Sequence, residues 1–122
     1  MNQKQMLRPA TDAATTAAPL ANFNTADAVE HLNTLPPAGA VELLAALPLP
    51  RAVKLLEAPE LHRAGELVAA LPPARAAALL GLMADDRATD IVHELDQDER
   101  ARLVPLIGAE ARQVIQTLLS YP

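Results

Sequence analysis

The sequence has few or none of several residue types, and each shortage argues against a class of function. There is no cysteine, so disulfides, thiolate metal sites and a cysteine nucleophile are excluded. The only serine, Ser120, lies two residues from the end, which argues against a serine nucleophile. The four glycines are scattered and form no phosphate-binding loop. These shortages predict that the chain is not an enzyme.

Long apolar runs are also missing. A membrane-spanning helix needs about 18 to 20 apolar residues, whereas prolines and charged residues interrupt this chain about every dozen positions. The N-terminus has no continuous apolar segment of the kind found in secretory signals. We therefore expect a soluble, cytoplasmic domain without direct membrane insertion.

Aromatic residues are scarce and the net charge is acidic. One Phe, one Tyr and no Trp accompany a hydrophobic content of 51%, so the apolar side chains are mainly Ala, Leu and Val. Because Ala and Leu lead the helix scale and aromatic strand formers are few, the composition predicts an all-α fold. The net charge of −5 argues against nucleic-acid binding, which needs a basic surface for phosphates.

The most informative feature is a repeat of twelve residues. Each unit carries an apolar pair, usually with an alanine three residues before its first member and an apolar residue four after it. The pairs are Leu43-Leu44, Leu55-Leu56, Leu67-Val68, Leu79-Leu80, Ile91-Val92 and Leu103-Val104. This spacing forms one stripe of an amphipathic α-helix and does not match the two-residue period of a strand. Pro59 breaks the pattern at the last position of its unit.

The joints between units carry residues that favour helix starts, since proline fits a first helical turn and Asp can cap it. Asp96 and Glu99 have the spacing of a capping box. Pro105 falls inside a unit and predicts a helix that is kinked or ends early. The joints are Pro36-Pro37, Pro48, Pro50, Pro59, Pro72-Pro73, Asp85-Asp86, Asp96 and Gly108.

Such short helices are not stable alone and must stack on one another. We predict a superhelix of about eight to ten short helices over residues 23–122, preceded by a flexible N-terminal arm or short leading helix at residues 1–22. An ordinary helical bundle with evenly spaced loops is the alternative.

Acidic residues concentrate between positions 85 and 99. Asp86, Asp90 and Glu94 are spaced i, i+4 and i+8 and share one face if the helix extends that far, with Asp85 beside them. Mg²⁺ prefers carboxylate oxygens and keeps several waters, so one or two of these carboxylates could hold it if a second surface supplied the rest. Alternatively, the aspartates only favour a helix start and Asp90 pairs with Arg87.

The three histidines fall at different places in the twelve-residue unit and should point in different directions. We interpret His31, His62 and His93 as residues of helix surfaces rather than as ligands of a transition metal.

A family resemblance rests on the pattern L-P-x-x-x-A-x-x-L-L. It occurs as LPPAGAVELL, LPLPRAVKLL and LPPARAAALL, and the chain ends in LLSYP. Residues 24 to 122 resemble the intracellular N domain of the MgtE magnesium transporters. The resemblance implies a right-handed superhelix of short helices that precedes a pair of CBS domains and a dimeric membrane pore.

The resemblance also implies a function and a set of site residues. In the family, Mg²⁺ bound between carboxylates of the N domain and the CBS domains holds the pore closed. The family's acidic pair falls on Asp86 and Asp90, with Asp85 and Glu94 as neighbours, and a further glutamate falls on Lys54, which implies fewer ions here. Because the acidic segment and the A-G-x-L-M motif that follow the N domain in the family do not occur in this sequence, we expect the chain to end at a domain boundary.

Two functions of different classes therefore stay open. The first is a cytosolic Mg²⁺-sensing regulatory domain that gates a transporter through its CBS domains, with weak Mg²⁺ binding and a homodimeric full-length protein. The second is a stand-alone helical-repeat adaptor that binds a protein partner, as the superhelical domains of the flagellar rotor switch do.

Overall fold

The structure, a computed structural model, describes residues 24–121, so the arm expected at residues 1–22 lies outside the described range. Over that range the chain forms eight α-helices and no strand, which confirms the all-α prediction. In chain order the helices are α1 Thr25–Thr34, α2 Pro37–Ala46, α3 Leu49–Glu57, α4 Ala64–Ala70, α5 Pro73–Leu82, α6 Asp85–Glu94, α7 Gln97–Leu103 and α8 Ala109–Leu119, and a 3-10 turn, Val104–Leu106, follows α7.

The helices begin at the predicted joints with one exception: the start predicted at Pro59 is wrong, because α4 begins at Ala64. Pro36 and Pro72 are the N-caps of α2 and α5, and each is followed by a second proline at the first helical position. The predicted capping box of α7 is confirmed, because the Glu99 N–H donates to Asp96 Oδ1 at 2.7 Å and the Asp96 N–H donates to Glu99 Oε1 at 2.9 Å. Pro105 lies in the 3-10 turn after α7, so the prediction of an early helix end is also confirmed.

The repeated apolar pairs form the core. The first member of every pair is buried, as is the alanine three residues before it in each unit from Ala40 to Ala88. Pro59 is exposed, and Leu61 enters the core in its place, because the chain makes a longer turn after α3 and α4 begins only at Ala64. The unit in which Pro59 replaces the expected apolar residue therefore still contributes a buried leucine, Leu61, to the core.

Each helix from α1 to α6 packs on the helix two places further along the chain: α1 on α3, α2 on α4, α3 on α5, α4 on α6, α5 on α7 and α6 on α8. This regularity favours a repeat array over an ordinary bundle and is compatible with a superhelix, whose hand stays a prediction. No helix within residues 24–121 is long and apolar enough to cross a membrane.

Arginine also recurs every twelve residues, at Arg51, Arg63, Arg75 and Arg87, which we call the register arginines. The last three donate to backbone carbonyl oxygens at the C-terminal end of the third helix before. Arg63 contacts Leu32 and Leu35, Arg75 contacts Leu44 and Leu47, and Arg87 contacts Leu56 and Ala58. Because the last carbonyls of a helix lack intrahelical donors and carry partial negative charge, a guanidinium there links the two helices favourably.

Candidate metal site

Helix α6 carries most of the predicted site residues. Its inner face buries Ala88, Ile91 and Val92 in the core, which leaves Asp86 and Asp90 exposed on the opposite side. The hydroxyl of Thr89, which is almost fully buried, donates to the Asp85 carbonyl oxygen at 2.7 Å and satisfies the one buried polar side chain of this helix. The helical period therefore separates the acidic face from the core.

Asp86 and Asp90 line one open groove of about 420 Å³ together with Arg87 of the same helix and with Glu57 and Pro59, which lie where α3 ends. One oxygen of Asp86 accepts the neighbouring Arg87 backbone N–H at 2.9 Å. The carboxylate of Asp90 forms no hydrogen bond or ion pair with any other residue of the described range. The groove thus contains two exposed carboxylates that form no ion pair with any residue of the described range.

Glu57 of α3 and Arg87 of α6 form hydrogen bonds that link the two helices bordering this groove. A carboxylate oxygen of Glu57 accepts the backbone N–H of Ala84, the N-cap of α6, at 2.8 Å. In the opposite direction, Arg87 Nε donates to the Leu56 carbonyl oxygen at 3.1 Å. The end of α3 and the start of α6 therefore exchange hydrogen bonds, and each supplies what the other helix terminus lacks.

Glu94 lies in a different groove. Its Oε1 accepts the Gly65 N–H at 3.0 Å and so supplies the start of α4 with an acceptor. This second groove, of about 440 Å³, is lined also by His62, Glu66 and Glu99. A Cβ atom on Gly65 would lie 2.4 Å from Glu94 Oε1 and 2.7 Å from Glu94 Cβ, so the close approach of α4 and α6 requires glycine.

Comparison with known proteins decides the family. Residues 23–122 match the family of the MgtE intracellular N domain, which is most of the chain. The chain belongs to this family. No curated protein and no solved structure matches the chain significantly.

Within this MgtE N domain, the structure brings together only part of the predicted site. Asp86 and Asp90 share a groove, whereas Asp85 is exposed outside it and Glu94 is engaged with α4. Among residues 24–121 no three His, Asp or Glu side chains are grouped so that they could hold a metal ion. The metal ligands Asp85, Asp86, Asp90 and Glu94 therefore stay a prediction.

The sequence did not identify Glu57 as a groove residue, and it suggested Arg87 only as an ion-pair partner of Asp90. Glu57 lies 27 residues before Ala84, and no local motif connects the two positions. The twelve-residue spacing of the register arginines is visible in the sequence, but it does not reveal which carbonyl oxygens they contact. Lys54, at the position of the family's further glutamate, is exposed on α3.

Proposed function

We propose that this MgtE N domain is a cytosolic Mg²⁺-sensing regulatory module of a magnesium transporter. In this proposal the Asp86–Asp90 groove provides one surface of a Mg²⁺ site, and a CBS domain of the same transporter provides the other. The module acts by binding and catalyses no reaction. The observation that carries the proposal is the pair of exposed carboxylates on α6 that share one groove and form no ion pair, in a chain of this family.

The chemistry of Mg²⁺ supports a shared site. The ion demands near-octahedral oxygen coordination, gives up its waters reluctantly, and is usually held by one or two carboxylates. Two aspartates one helical turn apart can supply those ligands or hold the ion through its waters. The remaining positions would be filled by water and by the partner surface, which fits the lack of a larger ligand cluster in the described part of the chain.

The regulatory step follows from differential affinity. An ion shifts a conformational equilibrium only by the difference in its binding free energy between the two states. If Mg²⁺ bridges the groove to the CBS domains only in the closed state, a rise in Mg²⁺ concentration favours that state. When the ion leaves, like charges on the two surfaces repel each other and favour separation.

The test is Asp86→Ala combined with Asp90→Ala in a full-length transporter that carries this domain. We expect more open channels than in the parent at millimolar Mg²⁺ and similar activity at low Mg²⁺, measured by electrophysiology. The matched control, Asp27→Ala with Glu30→Ala, removes the same charge from the exposed face of α1, away from the groove. Identical Mg²⁺ titration curves for the parent and the α6 double variant would show that the aspartates are not ligands.

The adaptor alternative predicts a different result. A stand-alone adaptor needs neither CBS domains nor Mg²⁺ for its contacts. Unchanged gating in the α6 double variant, together with Mg²⁺-independent protease sensitivity at the junction between the N and CBS domains, would favour that function.

A further inference from the structure

The guanidinium of Arg87 lies close in sequence to both aspartates of the groove but forms an ion pair with neither. Arg87 directly follows Asp86 and precedes Asp90 by three residues. On a helix, residues three apart are neighbours, and opposite charges at this separation usually attract. In the structure, however, Arg87 Nε donates to the Leu56 carbonyl oxygen at 3.1 Å, and Nη2 donates to the Ala58 carbonyl oxygen at 3.4 Å.

This placement of the guanidinium belongs to the repeat. Arg75 makes the equivalent contacts with the carbonyl oxygens of Leu44 and Leu47 at the end of α2. The guanidinium of Arg87 is therefore held by the architecture of successive helices and not by the local charges of α6. The Glu57 carboxylate, bound to the Ala84 N–H, strengthens the same junction.

The repeat also contains a contrasting case. Arg63 donates to carbonyl oxygens at the end of α1 and at the same time forms a 3.4 Å ion pair with Glu66, three residues further on. Arg63 immediately precedes α4, whereas Arg87 lies in the first turn of α6. At the same sequence separation, Asp90 has one methylene fewer than Glu66 and forms no ion pair with Arg87.

We propose that Arg87 is a positioning residue for the Asp86–Asp90 cation site. Its guanidinium ties α6 to the end of α3, and its bonds to the carbonyl oxygens of Leu56 and Ala58 keep it from forming an ion pair with the aspartates, although it lines the same groove. The short side chain of Asp90 completes the arrangement, because it does not reach the held guanidinium. This inference rests on the proposed function, since it explains how the two carboxylates stay available to a divalent cation.

The experiment uses Mn²⁺ alone as a paramagnetic probe, added to the 122-residue chain and followed by broadening of backbone amide signals. In the parent, broadening should centre on Asp86 and Asp90. Asp90→Glu keeps the carboxylate but lets it pair with Arg87, so we expect the apparent Mn²⁺ affinity to fall roughly two- to fivefold, the range of an exposed ion pair. Arg87→Lys should lower it similarly, because the flexible ammonium lacks the rigid fork of donors that holds the guanidinium on both carbonyl oxygens, so it can pair with Asp90 instead.

The matched control is Arg75→Lys. It removes the same kind of carbonyl contacts from α5, where the residue three positions on is Ala78 and no carboxylate can be captured. Its stability should fall about as much as that of Arg87→Lys, while Mn²⁺ broadening stays at the parental level. Parental Mn²⁺ affinity in both Asp90→Glu and Arg87→Lys would overturn the inference.

A second measurement separates this inference from the proposed function. Hydrogen exchange of the Arg87 Nε–H is followed by NMR in cation-free buffer, in the parent and in Asp90→Asn. If the Leu56 carbonyl oxygen holds the guanidinium, both exchange equally slowly. Faster exchange in Asp90→Asn would show that Asp90 holds Arg87 and would overturn the inference. Absence of localised Mn²⁺ broadening in the parent would instead refute the cation site, while the exchange rates still decide the role of Arg87.

Discussion

At the scale of single residues, two leucines of the same helix differ greatly in burial. Leu79 is 0% exposed, whereas Leu82, three residues further along α5, is 59% exposed. Leu79→Ala should lower the free energy of unfolding by about 2 to 5 kcal/mol, since it removes apolar contacts and leaves a cavity. Leu82→Ala, as the control, should change it by less than about 0.5 kcal/mol. Chemical denaturation checks both, and equal midpoints would contradict the repeat register.

Replacing glycine by alanine should lower the stability of the domain at Gly65 and raise it at Gly39. Gly65→Ala places a Cβ 2.7 Å from Glu94 Cβ, so α4 and α6 must separate, and we expect a loss of about 1 to 3 kcal/mol in the free energy of unfolding. Gly39→Ala meets nothing nearer than Leu35 Cδ2 at 3.9 Å, and should gain up to about 1 kcal/mol from the higher helix propensity of alanine. Thermal unfolding measures both variants. Stabilisation by Gly65→Ala would contradict the close packing of α4 and α6.

At the scale of helices, the capping box of α7 can be tested separately from its surface charge. Asp96→Ala removes the acceptor for the Glu99 N–H and should cost about 1 kcal/mol of unfolding free energy. Asp98→Ala removes an exposed carboxylate from the first turn of the same helix, where only the weaker attraction of the helix dipole is lost. Urea unfolding should therefore show the larger loss for Asp96→Ala, and the reverse order would argue against the capping role.

The helices themselves could be predicted from the sequence because their signals are local. The apolar stripe, the prolines at the first turns and the Asp96–Glu99 spacing each act within one helix, and each is confirmed. The contacts between helices could not be predicted in the same way. Glu57 contacts the start of α6 and Glu94 contacts the start of α4 across 27 and 29 residues, and these distances follow from the stacking of whole helices.

For the candidate metal site too, the sequence predicted the positions of residues within one helix but not their contacts with other helices. The spacing of Asp86 and Asp90 on one helix places them in one groove, since they lie one turn apart. Glu94, one further turn along the same helix, has its carboxylate on the Gly65 N–H. Which partner a surface carboxylate binds depends on the neighbouring helix, and no helical period contains that information.

At the scale of the whole molecule, the proposed cation site draws its ligands from only one surface of the described residues. In the described range two carboxylates share the groove of α6, and no group of three or more potential ligands is present. Mg²⁺ held by two carboxylates and its own waters gains little over hydrated Mg²⁺ unless a second surface replaces more of those waters. We therefore expect the isolated chain to bind Mg²⁺ weakly.

Calorimetry of the isolated chain should accordingly show little heat at micromolar Mg²⁺. If a CBS domain supplies the second surface, as proposed, joining the chain to a CBS pair should raise the affinity, and Asp86→Ala with Asp90→Ala should remove that gain. Asp27→Ala with Glu30→Ala, which removes equal charge from α1, should retain it. A tight, saturable Mg²⁺ site in the isolated chain would contradict a site shared between two domains, because the N domain would then supply enough ligands alone.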